Sequence, residues 1–103
     1  MPTVSQLFGL TPAETNAYYN TIAGEAFQGG KGGDIAGVAQ NLIARRLAGN
    51  WGGTNMVSIA KSPSQYVAND PFTAEEISRR NIRRLSPEAF QRLVSIAEDP
   101  SRS

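Results

Sequence analysis

Asp34-Ile-Ala-Gly-Val-Ala-Gln-Asn-Leu-Ile-Ala-Arg-Arg-Leu47 is the stretch on which the fold class turns. Ile35, Val38, Ala39, Leu42 and Ile43 recur at three- and four-residue spacing, which is the period of one helix face and not the alternation of a half-buried strand. Asp34, directly after a glycine run, suits an N-cap, and Ala48-Gly49 suits a C-terminal stop. A single amphipathic helix of this kind is stable only when its stripe is covered, so the neighbouring segments must supply apolar faces of their own.

Upstream, Thr11-Pro12-Ala13-Glu14 reads as a helix start, with Thr11 as N-cap, Pro12 at the first helical position and Glu14 closing a capping box. The spacing of Tyr18, Ile22 and Ala26 predicts a helix to about Phe27, which the run Gly29-Gly-Lys-Gly-Gly33 ends. Downstream, a Gly-rich connection around Trp51 leads to a short helix over residues 55–60, broken by Ser62-Pro63-Ser64. Gln65 to Ala68 reads as a short extended or irregular segment closed by Asn69-Asp70-Pro71. Thr73 with Glu76 opens a helix to about Leu85, and Ser86-Pro87-Glu88 opens a last one striped by Phe90, Leu93, Val94 and Ala97. The tail from Asp99 is not expected to continue it. Five helices with little or no sheet make this an all-α fold.

With 103 residues, 40% of them hydrophobic and 18% charged, the chain has the profile of one small globular domain spanning residues 1–103. The absence of both Cys and His removes cysteine and histidine zinc sites, Ser-His-Asp and Cys-His nucleophiles and CxxC redox pairs. Any catalysis is therefore expected to rest on carboxylates, with no metal and no cofactor. Ten Lys and Arg against nine Asp and Glu leave a net charge of +1, which points away from nucleic acid and from an anionic membrane. The start of the chain has neither the basic flank nor the apolar run of a signal peptide, and no apolar stretch approaches the ~20 residues of a membrane-spanning helix.

Glu25 is the carboxylate that stands out. At 100° per residue it lies about 20° from Tyr18, beside the apolar seam and just before the glycine run. A carboxyl group partly withdrawn from water and open to a ligand can give a proton to a leaving oxygen, as one Glu does in glycoside-cleaving enzymes. A border Glu, solvated at a helix end, is the plain structural alternative.

Three blocks bear on that choice: Ile22-Ala-Gly-Glu-Ala26 with its glycines, the Asp34 to Leu47 helix, and Thr54-Asn-Met-Val-Ser-Ile-Ala-Lys-Ser-Pro-Ser-Gln-Tyr66. In order and spacing they resemble the cell-wall hydrolase family of spore cortex-lytic enzymes. The match covers roughly residues 18–68. Ala44 stands where the family has the Asn of an Asn-Arg pair, Arg45 keeps the Arg, and Val67 stands where the family has Ser. The two C-terminal helices over 72–98 have no counterpart in the resemblance.

The resemblance implies a small lysozyme-like fold, related to lytic transglycosylases, that cleaves peptidoglycan between N-acetylmuramic acid and N-acetylglucosamine. It makes Glu25 the acid and base, with Gln65 and Tyr66 lining the groove, in a cleft floored by the 34–48 helix. One carboxylate suffices for that chemistry, since the muramoyl 6-hydroxyl can close an anhydro ring. Tyr19 and Trp51 are further candidates for stacking on sugars, with core or loop packing as the alternative. Asp34 and Asp70 are read as an N-cap and a turn residue.

The run Arg79-Arg80-Asn81-Ile82-Arg83-Arg84 is the one dense basic segment, read as a solvated face that could also meet peptidoglycan carboxylates, phosphate polymers or nucleic acid. The expected partners are peptidoglycan glycan strands and, for a phage product, other virion proteins, with the chain carried in a virion or released to the cell envelope. A virion structural or assembly protein, including a non-catalytic relative of the same fold, is the alternative function. A nucleic-acid-binding helical protein is a third reading, resting on the arginine run alone.

Overall fold

The computed structural model describes residues 2–27, 34–49, 55–60 and 82–102. Five α-helices lie within them: α1 (Val4–Leu7), α2 (Pro12–Ala26), α3 (Ile35–Ala48), α4 (Met56–Ala60) and α5 (Pro87–Ala97). Two 3₁₀ turns, Ile82–Arg84 and Pro100–Arg102, complete the regular structure, and no strand occurs among the described residues. The all-α reading is what the structure has.

The helix ends follow from local chemistry. Thr11 accepts the Glu14 N–H and Glu14 accepts the Thr11 N–H, a reciprocal capping box that starts α2 with Pro12 in the first turn. Asp34 starts α3 by accepting the Gly37 N–H at 2.8 Å, and a β-carbon at position 37 would collide with that carboxylate. Gly49 ends α3 at φ 73°, a left-handed conformation that glycine adopts without steric penalty, and its N–H returns to Arg45 O. Ser86 caps α5 ahead of Pro87.

Two features depart from expectation. The first helix, α1, was not anticipated, although Thr3 and Gln6 form a full capping box at its start. The helix expected to end near Leu85 arrives there as the 3₁₀ turn Ile82–Arg84. Pro87 explains this ending: it holds the preceding Ser86 extended, at φ −64° and ψ 159°, so the chain must leave the helix before that point. The start expected at Thr73 lies outside the described residues.

The middle of the fold is α2. It packs against α3, α4, α5 and the Ile82–Arg84 turn, while α3 also packs against α4 and α5. Tyr18, Ile22 and Ala26 are buried as the spacing predicted, but Ala17, Ala23 and the polar Asn20 and Thr21 are buried with them. Neighbours on several sides cover far more of α2 than one stripe. The core continues through Ile35, Leu42, Met56, Ile59 and Leu93, each of which stabilises the fold by about 1.5–3 kcal/mol when fully withdrawn from water.

At the far side of α2, Tyr18 donates its hydroxyl to the Ala97 carbonyl at 2.6 Å, tying α2 to the end of α5. Glu98 extends the tie: its carboxylate accepts the Tyr19 hydroxyl at 2.7 Å and both the N–H and the hydroxyl of Ser5. Its carbonyl accepts the Val4 N–H, so α1 is held against the end of α5. Burial first, and then the neighbouring Glu98 charge, push the pKa of the Tyr18 hydroxyl well above its ordinary 10.0. A raised pKa contributes stability that is complete below 10 and is lost as pH rises toward the folded value. Tyr18→Phe should therefore lower stability by about 1 kcal/mol at neutral pH and blunt the fall in stability above pH 10, both read by denaturant unfolding.

Candidate functional site

Glu25 lies in the last turn of α2, half-buried, between Gly24 and the buried Ala26. It reaches that position because the Thr11 cap sets where α2 begins and the core seam through Tyr18 and Ile22 sets how α2 is rotated. The helix then closes at Phe27 with no basic side chain in its last turn.

Glu14 is the one fully buried carboxylate among the described residues. Glu14 is 3% exposed and accepts from Arg46 Nε at 2.7 Å, from the Met56 N–H at 2.8 Å and from the Thr11 N–H. Burial by itself would raise its pKa, but the Arg46 hydrogen bond and charge and the two N–H groups outweigh that and leave it below 4.5. Asp34 caps α3, Glu98 binds Ser5 and Tyr19, and Asp99 accepts the N–H and hydroxyl of Ser101. Glu88 sits in the first turn of α5, where the helix dipole favours it. Glu25 and Glu98 are the two half-buried glutamates at helix C-termini among the described residues, and Glu98 is tied to Ser5 and Tyr19.

The remaining candidates divide. Tyr19 is held by its hydroxyl on Glu98 and by an edge contact of its ring with Phe90, at 6.0 Å between centroids. Six residues of helix put it about 9 Å along α2 from Glu25 and about 120° around it, so α2 does not bring the two together on one face. The contacts of Tyr19 are those of a packing residue. Gln65, Tyr66, Trp51 and Asp70 lie outside the described residues, and so does the groove wall expected from them.

Asp34 has the N-cap role that its place after the glycines predicts. Asp34→Ala should destabilise the domain by about 1 kcal/mol, measured by thermal unfolding, and leave any cleavage products unchanged.

Sequence reading missed the connection made by Glu14. The capping box accounts for one of its carboxylate contacts, whereas the contacts to Arg46 and Met56 span 32 and 42 residues and join α2, α3 and α4 at one buried point. The available signal was the basic pair Arg45-Arg46 in the last turn of α3, which does not say which of the two meets Glu14.

A narrow cleft where α3 meets the end of α5, lined by Tyr18, Ala36, Gln40 and Asp99 among others, has essentially no room for a water molecule. It offers no ligand site. Among the described residues no cluster of His, Cys, Asp and Glu could hold a metal ion, and no helix is long and apolar enough to cross a membrane. No family model, no curated protein and no solved structure matches the chain.

Proposed function

We propose that the chain is a peptidoglycan-cleaving domain in which Glu25 acts alone as acid and then base at the bond between N-acetylmuramic acid and N-acetylglucosamine. The observation that carries this reading is spatial. The three blocks that resemble cell-wall hydrolases, around residues 22–26, 34–47 and 54–66, include the end of α2, all but the last residue of α3, and α4. These three helices pack on one another pairwise, with Glu25 at the end of the first.

In this mechanism the Glu25 carboxyl gives its proton to the glycosidic oxygen as the C1–O bond breaks. The resulting carboxylate takes the proton of the muramoyl 6-hydroxyl as that oxygen bonds to C1. The product is a 1,6-anhydro ring, and Glu25 ends as it began, protonated. No second carboxylate is needed, in contrast to hydrolases that use a pair at fixed separation. A domain of this activity would work from a virion or after release to the envelope.

The test is muropeptide analysis after incubating purified protein with peptidoglycans of several cross-link types. Anhydro-muramoyl ends support the proposal. Absence of cleavage on all of them, with the protein shown to be folded, would overturn it in favour of a virion structural protein.

A further inference from the structure

We propose that α1 is an exchangeable strap, which opens at Gly9 and seats in the same place on a second copy of the chain. The inference concerns a contact between copies and stands apart from the reading of Glu25. A four-residue helix is too short to hold its shape in water by itself. α1 keeps its shape in a socket to which α2 and the end of α5 contribute. Val4 is fully buried in the core, and its N–H donates to the Glu98 carbonyl at 3.1 Å. The Ser5 N–H and hydroxyl both donate to one oxygen of the Glu98 carboxylate, each at 2.9 Å, and the Thr15 hydroxyl donates to Ser5 Oγ at 3.3 Å. These partners all lie outside α1, so the socket cannot tell the chain's own α1 from that of an identical copy.

The short connection to α2 is what favours the chain's own strap. α1 ends in a Schellman turn, in which the Leu10 N–H meets Ser5 O at 2.9 Å and the Gly9 N–H meets Gln6 O at 3.3 Å, with Gly9 at φ 62°. Phe8 and Leu10, on either side, pack against the core, whereas Gly9 is exposed. Rotation at Gly9 alone therefore redirects α1 while Leu10 and α2 stay where they are, and water takes over the two bonds of the turn. Reciprocal exchange restores the Val4 and Ser5 contacts in both copies, which makes exchange of an identical element a low-cost route to a two-fold dimer. The second copy has to compete with a tether whose effective concentration is on the order of millimolar.

The chain has no cysteine, which allows a direct test. Two full-length variants, one with Ser5→Cys and the other with Thr15→Cys, are mixed at roughly millimolar protein and then treated with diamide as oxidant. Neither variant can form a disulfide between positions 5 and 15 within one copy. Only α1 of one chain seated on α2 of another brings those thiols together, at the place where the two hydroxyls now lie 3.3 Å apart. Peptide mapping should show this mixed disulfide well above the share that random pairing gives. A random share, with both variants folded, would overturn the proposal.

Gly9→Val supplies a second readout. A β-carbon there meets nothing within 4 Å, but the left-handed φ is strained for any side chain, so the change penalises the closed hinge and not the open one. It should lower the protein concentration at which dimers form, read by sedimentation, by about tenfold for each of the two hinges. A single chain carrying both Ser5→Cys and Thr15→Cys, oxidised while dilute, should stay monomeric at concentrations where the wild type is dimeric. Dimers from this locked chain at the wild-type concentration would place the contact elsewhere and overturn the proposal.

Discussion

Glu14→Gln should lower the stability of this domain by about 3 kcal/mol, the scale expected when one partner of a buried ion pair is removed, and depress its melting temperature by roughly 15 °C. The carboxylate is 3% exposed and its Arg46 partner 18%, so water replaces little of what is lost. A glutamine has one acceptor oxygen where Glu14 uses two, and it cannot serve Arg46, Met56 and Thr11 together. At least one buried donor is left without its acceptor. Because the side chain keeps its shape, the loss should appear in unfolding free energy with no change in the folded circular dichroism spectrum.

The pH dependence has a definite sign. The folded pKa of Glu14 lies below the ordinary 4.5, so its contribution is present above that value and lost as pH falls through the folded pKa. Wild-type stability should drop between about pH 5 and the folded value, and Glu14→Gln should remove this part of the drop. A double-mutant cycle with Arg46→Met should show a coupling above about 1 kcal/mol, since the two side chains are in direct contact. Additive effects would mean that the pair does not act as a unit.

Glu14 also marks where sequence reading stops. Helix ends were legible because their causes are local: Thr11 with Glu14, Asp34 with Gly37, and Ser86 with Ala89 are each three residues apart. Even the missed α1 carried its sign in Thr3 and Gln6. The apolar seam of α2 was legible too, but not the burial of Asn20 and Thr21, because periodicity assumes one covered face and α2 has neighbours on several. Contacts between distant residues left no pattern at all. The Glu14 connection and the Glu98 tie each depend on which helices meet, which spacing within one helix does not encode. For the candidate site, the place of Glu25 on α2 was readable from the seam, whereas the contacts that hold Tyr19 against Phe90 and Glu98 come from α5 and its end and were not.

Glu25→Gln should reduce glycan cleavage by about 10²- to 10⁴-fold, the contribution of a positioned acid and base, while leaving the domain folded. Glu14→Gln and Glu25→Gln both replace a carboxyl by an amide of the same shape on one helix, but Glu14 anchors three helices and Glu25 is half-buried in a terminal turn. A glutamine at position 25 keeps the size and shape of the side chain and loses the proton that a departing sugar oxygen needs. Binding to insoluble peptidoglycan should persist, so the loss should fall on turnover and not on affinity. Residual products decide the mechanism. If Glu25 works alone, wild-type products end in 1,6-anhydro-muramoyl groups, because the proton it recovers comes from the 6-hydroxyl. Reducing ends, with activity also lost in Asp34→Asn or Asp70→Asn, would mean that water attacks and that a second carboxylate takes part, replacing the single-residue scheme by a paired one.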